Sequence, residues 1–146
     1  MPTKKKPAKR RPRSSVVVQA TVAGAPSPAL LRRYARAASR ADITLRIVGA
    51  AEAKKLNRRY RAKNYATNVL SFPYGNGSGD VILCHTVIEK ESRQQHKSLR
   101  AHYAHLVVHG VLHLRGFDHL RKSDAARMER AEIRILRRLG FCDPYA

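Results

Sequence analysis

In the stretch His109-Gly-Val-Leu-His113-Leu-Arg-Gly116-Phe-Asp-His119, three histidines stand at relative positions 0, 4 and 10. Two histidines four apart on a helix project from one face, one turn from each other. Gly116 then ends the helix, because a residue without a Cβ can enter the left-handed conformation and turn the chain back, bringing His119 toward the same point. The spacing thus demands a helix, a stop and a return within one small volume. Three imidazoles meeting at one point form the ligand set of a zinc ion whose fourth position is left to water, the catalytic rather than the closed structural arrangement.

The same spacing agrees with the H-E-x-x-H-x-x-G-x-x-H signature of zinc peptidases at each metal position and at the glycine. It departs from that signature where those enzymes carry glutamate as general base. Gly110 stands there and has no group that moves a proton. Metal binding is expected and peptide hydrolysis is not.

Charge redirects the substrate. The 146 residues carry 30 Lys and Arg against 10 Asp and Glu, a formal net charge of +20. Seven of these positive charges (Lys4, Lys5, Lys6, Lys9, Arg10, Arg11, Arg13) lie among three prolines with no hydrophobic pattern, so residues 1–14 read as a disordered basic arm. Without them the remainder still holds +13, and such a body gains affinity for a polyanion through counterion release. Residues 15–146 read as one domain with a real core, 43% of the chain being hydrophobic. No run approaches the roughly 18 apolar residues of a membrane span. There is no signal-peptide core either, so a soluble, cytoplasmic protein with no membrane partner is expected. Cys84 and Cys142 lie in no C-x-x-C pair and read as buried thiols.

The hydrophobic pattern predicts a strand over 15–22, then a helix from Pro28 to about Ser39 capped by Ser27, with Leu30, Leu31, Tyr34 and Ala38 inward. Ile43–Val48 alternates with period two and reads as a second strand. A helix over 52–61 is expected to turn Leu56 and Tyr60 inward. Strands over 69–73 and 80–84 flank an Asn-Gly turn and form a hairpin. A helix from 87 or 89 to 115 is expected to break near 96–98, and a last one runs from Asp124, capped by Ser123, to Leu139, with Met128, Ile135, Leu136 and Leu139 as its packing stripe. The expected fold is α/β (α+β): a small mixed sheet of about four strands covered by helices, with the zinc site at the end of a central helix.

Five blocks in order resemble the YbeY family of bacterial endoribonucleases. They are Leu56-Asn57-Arg-Arg-Tyr60-Arg61-Ala-Lys63, Thr67-Asn68-Val-Leu-Ser71-Phe72-Pro73, Gly79-Asp80-Val-Ile, the histidine motif, and Met128-Glu129 followed by Ile135-Leu136, Leu139-Gly140 and Asp143-Pro144-Tyr145. The resemblance implies a zinc-dependent RNase directed at single strands, acting in ribosomal RNA maturation and ribosome quality control at the 3′ end of the 16S RNA. Its partners are then ribosomal RNA and the small ribosomal subunit. It implies that His109, His113 and His119 are the zinc ligands and that Arg61 is essential for cleavage. An arginine suits that role independently, since its guanidinium is always charged and forks onto two phosphate oxygens. Arg59 and Lys63, on the same basic face, are candidate RNA contacts. The chain departs from the family pattern at Asn64, Ala66 and Leu120, the last removing a carboxylate commonly found after the third histidine.

Four histidines, His102, His105, His109 and His113, form one stripe along the helix. The first two are expected to line the cleft or hydrogen-bond to groups around the ligands. Asp118 is expected to cap the turn or accept from a histidine. Glu129 and Glu132 could ion-pair with the arginines of the last helix and are expected either in structural roles or hydrogen-bonded to the metal ligands. The rival reading is a ribosome-associated RNA-binding or assembly factor in which zinc staples the last helix to the turn at Gly116.

Overall fold

The computed structural model describes residues 14–146; of the predicted basic arm, 1–13 lie outside the described residues. The elements are β1 (Val16–Ala20), α1 (Pro28–Ala38), β2 (Ile43–Val48), α2 (Ala50–Arg61), β3 (Val69–Gly75), β4 (Ser78–Cys84), α3 (His85–Gln94), α4 (Leu99–Leu114) and α5 (Lys122–Arg138). They build a four-stranded mixed sheet of order β1-β2-β4-β3. The β1–β2 and β2–β4 pairs are parallel and β3–β4 is antiparallel, which is the mixed α+β architecture the sequence predicts.

Local chemistry accounts for most boundaries. Ser27 Oγ accepts from the N–H of Leu30 at 3.3 Å and Pro28 opens the helix, as expected of an N-cap followed by proline. Asn76 (φ 54°) and Gly77 (φ 78°) both take positive φ, the conformation a two-residue hairpin turn requires. The chain breaks between α3 and α4 at His96 (φ 53°), and Ser98 Oγ then caps α4 by accepting from Ala101 at 3.1 Å.

Alternation along the strands splits the apolar core between the two sheet faces. Ile43, Leu45, Ile47, Val81 and Leu83 meet α1, α4 and α5 on one face. Val48, Leu70, Ile82 and Cys84 meet Ala53 of α2 on the other. Helix α4 lies at the centre. It is apolar nearly all round, as a helix enclosed by sheet and neighbours must be, so its histidine stripe is the one polar line along a buried rod.

Three expectations are corrected. Tyr60 is 54% exposed rather than inward, because α2 ends beyond the sheet and the ring meets Phe72 of edge strand β3 edge-on at 5.2 Å. Ala53 and Asn57 are the buried residues of α2, with Leu56 only partly covered. Ser123 does not cap α5: Arg121 is the cap residue, and Ser123 lies inside the first turn with no capping hydrogen bond made. Cys84 is buried as expected, but Cys142 is exposed in the tail after α5.

Candidate metal centre and cleft

Helix α4 carries His109 and His113 in its last turns and stops as the sequence predicts. Gly116 has φ 92°, and the N–H of Phe117 reaches back to the carbonyl of Leu112 at 3.0 Å while that of Gly116 reaches His113 at 3.0 Å. This end motif satisfies the orphan carbonyls and reverses the chain. Asp118 then fixes the return: its Oδ1 accepts from the backbone N–H of His119 at 2.6 Å and of Leu120 at 3.3 Å. Of the two roles expected for Asp118, it takes the turn cap. One ring nitrogen from each of His109, His113 and His119 lies within 4.8 Å of the others.

The donor set fits a metal ion. Nδ1 of His109 donates to Glu132 Oε1 at 2.6 Å, and Nδ1 of His113 donates to the carbonyl of Phe117 at 3.0 Å. With both protons committed there, the two Nε2 atoms keep bare lone pairs that face each other at 3.1 Å. Lone pairs so placed repel unless a cation lies between them, and two zinc–nitrogen bonds of about 2.0–2.1 Å in tetrahedral geometry set nitrogens at about this separation. Burial lowers the pKa of His113, and His109 and His119 beside it lower it further, so the ring stays neutral and able to ligate.

Glu132 anchors this arrangement from α5. Its side chain is fully buried on the stripe formed with Met128, Ala131, Ile135 and Leu136, and among the described residues its ion-pair partners are His105 and His109 rather than an arginine. Oε1 holds His109, while Oε2 accepts from His105 Nε2 at 2.9 Å and from the Tyr145 hydroxyl. Burial alone raises a carboxyl pKa, but the hydrogen bonds from His105, His109 and Tyr145 outweigh it and hold Glu132 at about 2. It is therefore a carboxylate at neutral pH. His105 spends its Nε2 on Glu132 and Tyr145 rather than on the triad, and His102 pairs with Glu91 of α3 at 3.0 Å.

Gly110 has a packing reason to be glycine. A Cβ there would stand 2.7 Å from Val81 Cγ1 and 3.2 Å from both Ser71 Oγ and Val69 Cγ2. The position that carries the peptidase base thus faces the sheet, where no glutamate fits.

On the other side of the triad, α2 delivers Arg61. Its Nη2 donates to the Ser71 carbonyl at 3.0 Å, and its guanidinium lies 5.8 Å from the Phe72 ring centre. Ser71 Oγ in turn donates to the Gly110 carbonyl at 2.9 Å, linking β3 to α4 one residue past His109. Beyond Arg61 the chain turns through Ala62 (φ 56°), and buried Asn57 donates to the Tyr65 carbonyl at 2.8 Å. The result is an open cleft of about 500 Å³ lined by the three histidines together with Arg61, Lys63 and Tyr65. Arg59 lies outside it, its guanidinium 5.3 Å from the Tyr60 ring centre. Leu120, 84% exposed, also lines the cleft.

Sequence reasoning missed Tyr145, Tyr65 and Asn57, and it expected Glu132 in a structural or ligand-supporting role without naming His109 as its partner. Glu132 carried a readable signal, since it repeats with Met128, Ala131 and Ile135 on the inward face of α5. Tyr145 and Tyr65 sit in irregular segments where no periodicity announces them.

Fold and site together define an α+β protein with a tri-histidine metal centre opening on a basic cleft. Residues 26–140 match the family described as Endoribonuclease YbeY, and the chain belongs to it. A relative named Endoribonuclease YbeY from Aromatoleum aromaticum is 51% identical over 129 residues, covering 85% of this chain and 84% of its own. One of the same name from Chromobacterium violaceum is 48% identical over 141 residues, covering 88% and 84%. A solution structure from Thermotoga maritima shares the fold with a TM-score of 0.51 at 19% identity, covering 89% of this chain and 98% of its own.

Proposed function

We propose that this protein is a zinc-dependent endoribonuclease that cuts single-stranded RNA in the cleft between the histidine triad and Arg61. One observation carries the reading: three imidazoles within 4.8 Å of one another share a cleft with two cationic side chains, Arg61 and Lys63. A metal and cations lining one cleft suit a phosphodiester, which gathers negative charge as it is cleaved. The names of the relatives support an RNA substrate.

A bound zinc ion supplies Lewis acidity toward a phosphate oxygen or a water. Glu132 holds the proton of His109 on Nδ1 and the Phe117 carbonyl does the same for His113, so both rings present Nε2. Arg61 lies against the Ser71 carbonyl and directs its remaining N–H groups at the cleft, where they stabilise charge developing on the phosphoryl oxygens. No carboxylate occupies position 120, and Glu132 is fully committed, so no side chain of this chain is assigned as general base. The target by resemblance is the 3′ end of 16S ribosomal RNA, with the small ribosomal subunit as partner and the cytoplasm as compartment.

The test compares metal-stripped protein, zinc-reloaded protein and Arg61→Ala on a single-stranded fragment of the ribosomal RNA 3′ end. Cleavage by the reloaded protein alone is expected. If all three cut nothing, the metal is a staple and the protein an RNA-binding factor. A 2′-deoxy substitution at the scissile nucleotide separates attack by water, which survives it, from attack by the 2′-hydroxyl, which does not.

A further inference from the structure

The outer face of α5 is a stripe of arginines. Arg127, Arg130, Arg134, Arg137 and Arg138 are all exposed, and their spacing places them within about 100° of the helix circumference. The opposite face is packed into the core through Met128, Ile135 and Leu136. Like charges three and four residues apart destabilise a helix. Yet among the described residues none of the five has a carboxylate partner: the only arginine ion pairs are Arg46–Glu52 and Arg93–Glu89. Such a stripe is relieved by an external polyanion.

The stripe is continuous with the metal loop. Arg127 and Arg115 lie 5.9 and 5.5 Å from the ring centre of Phe117, whose carbonyl orients His113. From Arg127 the stripe runs eleven residues along α5, about 16 Å at 1.5 Å per residue. At its far end Arg138 borders a groove with Arg36, Arg40 and Arg115.

We propose that this face is a second RNA-binding surface, which grips the phosphate backbone of a base-paired segment adjoining the single strand in the cleft. The inference rests on the reading of the cleft as a single-strand RNA site. Sites for unpaired strands combine cations with aromatic rings on which bases stack. The cleft has such a ring in Tyr65, 53% exposed, whereas no large hydrophobic side chain is exposed on α5. The ring beside the stripe, Phe117, is half-buried and faced by Arg115 and Arg127, and cations without a free stacking platform suit a strand whose bases are turned inward into a helix, gripped by its phosphates. A lipid surface fits less well, because the apolar face of α5 is already buried and has nothing to insert.

The experiment measures binding of two RNAs by fluorescence anisotropy across a salt series, using the full chain and confirming on gels that the RNA stays intact. One RNA is a hairpin with a single-stranded 3′ tail, the other the tail alone. Arg130→Gln/Arg134→Gln/Arg137→Gln is compared with wild type, after circular dichroism shows it folded. Expected is a loss of tenfold or more on the tailed hairpin at 0.15 M salt. The slope of log K against log salt should become shallower by about 2–3, with the tail alone bound within twofold of wild type. If the triple variant does not fold, Arg134→Gln alone should reduce the slope by about one. An unchanged slope, an equal loss on the bare tail, or a loss confined to anionic lipid vesicles overturns the proposal. Cleavage of the tail by wild type reports on the cleft independently: it can fail while the hairpin slope stands, or hold while the slope is unmoved.

Discussion

Glu132 Oε1 lies 2.6 Å from Nδ1 of His109, joining helix α5 to helix α4 through a fully buried carboxylate. The bond orients the ring, fixes its tautomer and raises its basicity toward a metal. Because the same carboxylate also holds His105 and Tyr145, the C-terminal tail is tied to the metal centre through one residue.

Glu132→Gln keeps the shape and removes the charge. Zinc affinity measured by competition with a chelator dye should fall about 10–100-fold. Unchanged affinity would mean that the carboxylate only fills space.

Gly110→Ala sets two effects against each other. Alanine gains about 1 kcal/mol of helix propensity over glycine, but a Cβ 2.7 Å from Val81 Cγ1 forces α4 off the sheet, a kind of overpacking that costs about 1–3 kcal/mol. Net destabilisation in urea unfolding is expected. Gly110→Glu should not fold, and a folded Gly110→Glu protein would refute the packing account.

Metal removal should lower the thermal midpoint. Binding at a hundredfold excess over Kd contributes about 2.7 kcal/mol, or about 5–10 °C in a chain of this size. His119→Ala should abolish the zinc-dependent shift, because it removes one of the three ligating nitrogens.

His102 makes stability depend on pH. Burial lowers its pKa from 6.5; Glu91 beside it opposes the shift, while His105 and Lys97 add to it. The folded chain therefore holds His102 neutral at pH values where the unfolded chain protonates it. Its contribution is full above pH 6.5 and is lost as the pH falls below that value toward the lower folded pKa. His102→Gln should flatten the dependence of the unfolding midpoint on pH between 6.5 and 5; a slope equal to wild type would show that other groups carry it.

Arg61→Ala should reduce kcat on single-stranded RNA by about 10²–10³ with a smaller change in binding. Arg61→Lys should recover only part, since an ammonium cannot fork onto two oxygens. Equal kcat in all three would make Arg61 a bystander.

Local signals in the chain carried far. Ser27-Pro28 opens α1, Asn76-Gly77 turns the hairpin and Gly116 stops α4, each through a preference belonging to one or two residues. The three histidines were legible for the same reason: they are separated by no more than a helical turn or a capped return, and geometry over that range is set by the backbone. Inward faces were harder. Tyr60 has the period of a core residue, but α2 overhangs the edge of the sheet, and where a helix ends relative to its partner is not written in its own periodicity.

The amino-acid sequence by itself determined the metal-binding loop, the element order and the excess of positive charge. Only the tertiary structure decided what those features meet. It brought Arg61 into one cleft with a triad nearly fifty residues later and buried Glu132 against His109. It also pressed Gly110 onto Val81. Each is a contact between elements remote in sequence, fixed by how helices pack on the two faces of the sheet, and packing depends on the shapes of both partners at once.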